Sequence, residues 1–272
     1  MEDHTPLGLT DIVASVRASP RYRGICLETV ERIARDESRR RPDPRAAAKA
    51  TRRKLHQIAG AFGSEPPYAR ILAALRAAYD EGDPADVEAA CRDALRWHAS
   101  TRERLPILDT FYDRIFAVTG QPRAVLDLGC GLNPLTIPWM RLPPGAAYCA
   151  WDVAGNLIAF VNQFLVLAGF APSAEVRDVV SRPPTASADV VFLLKVLPTL
   201  DQQGIVALDA LDALTARFVV ASYPVKSLGG REKGMVRNYD RQFEAALRGR
   251  PWGVQRLEFA TELVYIIGKE GW

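Results

Sequence analysis

The chain has 272 residues, 48% apolar and 25% charged, with a formal net charge of +3, which suits one large or two ordinary globular domains with a real core. No apolar run reaches the roughly 18 residues of a transmembrane helix, and the polar start MEDHTPLGLTD is unlike a signal peptide, so the sequence reads as cytoplasmic. Cysteines without a CxxC pair and scattered histidines argue against a disulfide framework and a zinc site.

Residues 8–105 carry helical rhythm. In LTDIVASVRAS, Thr10 is the expected N-cap, and Ile12, Val13 and Val16 share a face. In RGICLETVERIARDE, Ile25, Leu27, Val30 and Ile33 recur at three- and four-residue spacing. DPRAAAKATRRKLHQIAGAF opens on Asp43 as N-cap with Pro44 in the first helical position. PYARILAALRAAYDEG and DPADVEAACRDALRWHAS are two further amphipathic helices. Residues 1–105 are therefore expected to form an all-helical N-terminal domain, and residues 106–272 a second domain. The first domain holds the chain's whole basic excess, and Arg32 to Lys54 carries ten basic and three acidic side chains. Such a patch attracts a polyanion. The same composition also suits a solvated helical face.

From Ala124 the rhythm changes to short apolar runs: AVLDLG, AYCAWDV, AEVRDV, ADVVFLLKV, RFVVASYPV, GVQRLEFA and ELVYIIGK. The first five are interspersed with helical stretches at Pro134–Arg141, Ala154–Gly169 and Asp201–Leu214 and a loop-rich 225–250. That alternation predicts βα units and a parallel sheet covered on both faces. The last two runs predict an antiparallel pair at one sheet edge. The fold class is thus α/β, a mostly parallel Rossmann-like sheet with a closing antiparallel hairpin, preceded by helices.

In doubly wound folds ligands sit at the carboxyl ends of the strands. The first run ends in Asp127-Leu-Gly-Cys-Gly131, where Gly129 and Gly131 let backbone approach a ligand closely. Asp152 ends the second run, 21 residues after Gly131, where a carboxylate takes ribose hydroxyls in such folds. The third glycine of a pyrophosphate-binding turn is replaced by Asn133-Pro134, so a ligand without a pyrophosphate fits better. A tight strand-to-helix turn with no ligand is the other reading.

The Asp127–Gly131 turn, the acidic end of the second strand and the closing hairpin together resemble the class I S-adenosylmethionine-dependent methyltransferases. WHASTRERLP (97–106), DLGCGLNPLTIPWM (127–140) and SYPVKSLGGREKGM (222–235) narrow the resemblance to the aminoglycoside-resistance 16S ribosomal RNA methyltransferases, in particular the FmrO-like branch of actinomycete producers. It spans essentially the whole chain. It implies S-adenosylmethionine as cofactor, a decoding-site guanine of 16S rRNA in the small (30S) ribosomal subunit as target, N7 as the methylated atom, and aminoglycoside resistance as the outcome. A monomer acting away from membranes is expected.

Residue roles follow. Asp152 is assigned to the ribose hydroxyls; the resemblance puts Asp178 at the adenine amino group and Arg104 on the methionine carboxylate, with Arg102 as competitor. Lys195 ends the fourth apolar run, where amino-methylating relatives carry an Asn/Asp-Pro-Pro-Tyr motif. Here LLKVLPTL disfavours exocyclic-amine chemistry, and a lysine there suits guanine N7 and O6; a lysine snorkelling from a strand end is the plainer alternative. Guanine N7 has a free lone pair, so no general base is expected, and Cys130 reads as packing. His98 reads as structural. Arg52, Arg53 and Lys54, with Lys226, Arg231, Lys233, Met235 and Arg237 in a glycine-rich loop, are the candidate RNA contacts. A target base must leave its stack, so RNA shape has to be read over a wide surface. Two rival functions keep the same residues: methylation of another RNA position or a small molecule, and a non-catalytic RNA-binding module.

Overall fold

The computed structural model describes residues 8–59, 66–185, 187–202, 212, 214–225, 243, 247 and 249–269. Four helices come first: α1 (Leu9–Arg17), α2 (Pro20–Arg23), α3 (Leu27–Arg40) and α4 (Pro44–Ala59). Helix α1 begins after Gly8, so Thr10 lies inside it and does not cap it; the Gly8 amide instead donates to Asp11 Oδ2 at 2.8 Å. Asp43 caps α4 as expected, accepting from the Ala46 amide at 3.0 Å. Ile12, Val13, Val16, Val30, Ile33 and Leu55 meet in an apolar cluster of their own. Two positions of the expected α3 face differ. Ile25 precedes the helix and pairs as a β-bridge with Ala154, and Leu27 is 41% exposed. The chain is pulled straight there because its backbone is bonded elsewhere.

Helices α5 (Tyr68–Glu81), α6 (Pro84–Leu95), α7 (Ala99–Arg104) and α8 (Leu108–Thr119) follow, with a 3₁₀ turn at Leu105–Ile107. Asp83 caps α6 by accepting from the Ala85 amide at 2.8 Å. No helix was expected over α8, yet Leu108, Phe111, Tyr112, Ile115 and Phe116 form its buried face at helical spacing. Residues of α5, α6 and α8 share one apolar core with a face of the sheet. The expected division at residue 105 therefore does not coincide with the boundary between the apolar clusters, which falls between α4 and α5.

All seven apolar runs form strands: β1 (Ala124–Leu128), β2 (Ala147–Asp152), β3 (Ala174–Val176), β4 (Ala188–Leu194), β5 (Ala216–Pro224), β6 (Gly253–Glu258) and β7 (Glu262–Gly268). Their order is β3-β2-β1-β4-β5-β7-β6, with β7 antiparallel to both β5 and β6. Along β4, Val190 and Phe192 enter the core shared with α5, α6 and α8, while Val191 and Leu193 enter the core of the opposite face. Both faces are buried, as a parallel sheet requires. The expected Pro134–Arg141 helix is split into a 3₁₀ turn at Asn133–Thr136 and a short α9 (Ile137–Met140), ended by Arg141 at φ 47°. Helix α10 (Gly155–Leu167) follows β2, and α11 (Leu197–Gln202) starts before the expected Asp201; most of the remaining stretch to Leu214 and of 225–250 lies outside the described residues.

Candidate active site

The carboxyl ends of β1 to β4 converge on one pocket, whose wall includes Gly129, Gly131, Asp152, Asp178, Arg104 and Lys195. Gly129 and Gly131 both adopt left-handed φ, 65° and 51°. A Cβ on Gly129 would stand 2.7 Å from Val196 Cγ2, and one on Gly131 would stand 2.8 Å from His98 Cε1. Only glycine fits this turn. The turn is held from the next strand: the Cys130 amide donates to the Trp151 carbonyl at 3.0 Å, and the Gly131 amide to Asp152 Oδ2 at 3.0 Å. Burial pushes the Cys130 thiol well above its ordinary range, the state of a packed thiol.

Asp152 takes a second amide, from Ala154, on Oδ1 at 3.1 Å. Burial raises its carboxyl above the ordinary range, and these amides oppose that shift. Asp178 stands just past β3, 2% exposed, accepting from the Val180 amide at 2.9 Å and from Arg32 Nε at 2.9 Å. The Arg177 guanidinium, which also lines the pocket, stacks 3.8 Å above the Trp151 ring. Two carboxylates about one strand apart, beside a turn only backbone can occupy, fit a nucleoside with vicinal hydroxyls and an exocyclic amine.

The opposite wall is a buried polar network. Arg104 is 1% exposed and forks onto Glu262, Nε to Oε2 at 3.0 Å and Nη2 to Oε1 at 2.7 Å; its Nη1 donates to Asn133 Oδ1 at 2.7 Å. Asn133 also accepts from Tyr112 Oη and donates to Asp127 Oδ2 at 2.9 Å. Burial pushes the Asp127 carboxyl up to about 6, against hydrogen bonds from Asn133 and Tyr148 that lower it. Glu262 is wholly buried and accepts from Ser222 Oγ. Burial works against its charge, but Arg104 and then Lys195 outweigh it and hold the carboxyl below its ordinary range. Arg102, by contrast, is exposed and does not line the pocket.

Lys195 follows β4 in a left-handed conformation, φ 61°, which costs energy in a residue with a Cβ and marks a site held by its surroundings. Its amide donates to the Ser222 carbonyl at 3.1 Å, and its Nζ reaches Glu103 Oε2 at 2.8 Å and the Ser100 carbonyl at 3.1 Å. The neighbouring His98 is held neutral, its pKa pushed down to about 3 by burial and then by Arg104, Lys195 and Arg102.

The expected basic patch is not uniform. Arg52 turns to Ser15, with Nη2 2.8 Å from its carbonyl, and Lys54 Nζ lies 3.1 Å from the buried carboxylate of Glu37, which Arg41 also engages. Arg53 is exposed. Lys226, Arg231, Lys233, Met235 and Arg237 lie outside the described residues. Sequence reasoning missed Arg32 and Thr29 at the pocket and Glu262 in the network behind it. A glutamate opening an otherwise apolar strand, ELVYIIG, was the available signal for Glu262. Among the described residues no cluster of His, Cys, Asp or Glu suits a metal ion, and no helix is long and apolar enough to cross a membrane.

This strand order, with a reversed hairpin at one edge and an acid ending the second strand, defines the class I methyltransferase architecture. The model of the family described as ribosomal RNA methyltransferase (FmrO) matches residues 18–266, so the chain belongs to that family. It is 41% identical over 265 residues to a 16S rRNA (guanine(1405)-N(7))-methyltransferase of Micromonospora echinospora, covering 96% of this chain and 97% of the relative. A protein of the same description from Frankia casuarinae is 43% identical over 258 residues, 93% and 91% of the two chains. The crystal structure of the 16S rRNA methyltransferase RmtF in complex with S-adenosyl-L-homocysteine superposes with a TM-score of 0.82 at 34% identity, covering 98% of this chain and 99% of that one.

Proposed function

We propose that this protein is a 16S rRNA (guanine(1405)-N(7))-methyltransferase that uses S-adenosylmethionine, acts in the cytoplasm on the assembled or assembling 30S subunit, and protects the ribosome from aminoglycosides. The observation that carries this reading is the pocket itself. A glycine cradle and two strand-end acids offer a nucleoside site, and a lysine held in a strained conformation stands at the next strand end. Family membership over nearly the whole chain supports the same conclusion.

When bound, the cofactor supplies an electrophilic methyl group on a sulfonium. Asp152 holds the ribose hydroxyls, and Asp178 the adenine amino group. Arg104 lines the pocket and has one N–H on each Nη beyond those given to Glu262 and Asn133, which suits it to the methionine carboxylate. Attack by guanine N7 uses the base's own lone pair and removes no proton, so the protein's work is orientation and charge placement. Lys195, swung from Glu103, hydrogen-bonds the target guanine at O6 and leaves the N7 lone pair free to attack. The N-terminal helices take RNA shape and phosphate, through Arg53 and neighbouring basic side chains, with the basic 226–237 loop closing on the displaced base. The enzyme is a monomer in this reading.

Incubation of 30S subunits with the protein and labelled cofactor, followed by mass mapping of 16S rRNA, should place one methyl group on one decoding-site guanine. A methyl on an adenine, or no incorporation, would overturn the proposal.

A further inference from the structure

The pocket has a third wall that comes from the N-terminal helices. The backbone on either side of Ile25 is stapled to the loop after β2: the Cys26 amide donates to the Val153 carbonyl at 2.8 Å, and the Gly155 amide donates back to the Gly24 carbonyl at 2.8 Å. Helix α3 starts immediately afterwards, and its Glu28 and Arg32 form ion pairs with Arg182 and Asp178, past the end of β3. Two of its side chains, Thr29 and Arg32, line the pocket. Arg32 binds Asp178 Oδ2 at 2.9 Å, with side-chain exposures of 16% and 3%. Thr29 is fully buried, and its Oγ1 has no hydrogen-bond partner. Buried hydroxyls are nearly always satisfied, and a threonine inside a helix can usually bond the carbonyl four residues back. Here that carbonyl belongs to Ile25, which lies before the helix, in a β-bridge to Ala154.

We infer that α3 forms the base-recognition edge of the cofactor site, with Thr29 donating its hydroxyl to a ring nitrogen of the adenine and Arg32 acting as a positioning residue for Asp178. The inference rests on the nucleoside reading of the pocket given above. Arg32 Nε and Ser181 Oγ together bond Oδ2, and the Val180 amide bonds Oδ1, so the rotamer of Asp178 is fixed and Oδ1 keeps a lone pair for the amino group. Thr29 then completes a pair of hydrogen bonds of opposite sense, an acceptor for the amino group and a donor for the ring. Such a pair rejects a base that presents the reverse pattern, because both protein groups would be left unpaired.

The test is calorimetric titration of the full chain, without RNA, using S-adenosylhomocysteine and, separately, 5′-methylthioadenosine, which lacks the amino-acid end. Thr29→Val is isosteric and should weaken both ligands by about tenfold, with Thr29→Ser restoring most of the affinity and thermal melts unchanged or raised. Wild-type affinity in Thr29→Val, or a loss confined to S-adenosylhomocysteine, would overturn the assignment of Thr29. Arg32→Ala, Asp178→Asn and the double variant form a cycle in which the losses should be strongly non-additive; additive losses would overturn the positioning role of Arg32. A wild-type chain that binds neither ligand would instead defeat the methyltransferase reading itself.

Discussion

Helices α1 to α4 and helices α5 to α8 look alike in the sequence, both amphipathic and both rich in arginine, yet the fold uses them differently. The first group buries Val16, Val30, Ile33 and Leu55 against one another. It meets the sheet through backbone bonds at residues 24–26 and ion pairs such as Arg32 with Asp178. The second group shares its core with the sheet and turns charge inward, as Arg104 does. A basic residue count therefore does not locate an RNA face. Glu37 shows why, since it is 1% exposed and draws Arg41 and Lys54 out of the patch they would otherwise extend.

The sharpest way to break this comparison is to remove the inward charge. Glu262→Ala leaves Arg104 buried without its fork partner, so unfolding free energy should fall by about 3–5 kcal/mol, measured in urea, and cofactor binding should be lost with it. A cost like that of a surface pair would mean that water or a neighbour replaces Glu262. Next come matched truncations of fully buried leucines, Leu75→Ala in α5 and Leu55→Ala in α4. Each should cost about 2–5 kcal/mol. Hydrogen exchange separates them: Leu75→Ala should loosen α6, α10 and the strands β2 and β3 that α10 packs against, whereas Leu55→Ala should loosen α1, α3 and α4 and leave the strands protected.

A smaller effect is expected from His98. Its folded pKa is pushed from 6.5 down to about 3, so as pH falls below 6.5 the unfolded chain takes a proton that the folded chain refuses. Its stability contribution is present above that pH and is lost as pH falls toward 3. Asp127 works in the opposite sense, because its carboxyl is raised from 3.8 to about 6; its contribution is present below 3.8 and is lost as pH rises through 6. His98→Gln should therefore remove up to about one proton of pH dependence from unfolding between pH 6.5 and 5. An unchanged slope would place His98 in contact with water. The smallest effect separates the patch residues: Arg53→Ala should lower the salt slope of 30S binding by about one, and Lys54→Ala by less, with a loss of stability instead.

The strands were legible because each is a short apolar run between turn residues, and the edge hairpin because two such runs stand almost in contact. The glycine turn and Asp152 were legible because that chemistry is local, a fixed spacing along β1 and β2. Helix α8 was passed over although its apolar spacing is regular. The site's other wall was legible only in part: the resemblance supplied Arg104, but not what holds it. Arg104 and Glu262 stand 158 residues apart and meet only because β7 reverses beside β5. Asn133 was seen as a replaced glycine, not as the joint between Arg104, Tyr112 and Asp127. Arg32 read as one of a basic run, and its turn toward Asp178 depends on how α3 docks, which no periodicity reports.

The most direct test of the central claim, methylation of guanine N7 from this pocket, is primer extension on 16S rRNA from sensitive bacteria expressing the protein, after borohydride reduction and aniline treatment. N7-methylguanine is labile to that treatment, so one strong stop is expected at a single decoding-site guanine, together with growth on gentamicin- and kanamycin-like drugs. Asp152→Ala should abolish both. A stop that survives Asp152→Ala, or resistance without any stop at a guanine, would contradict the claim.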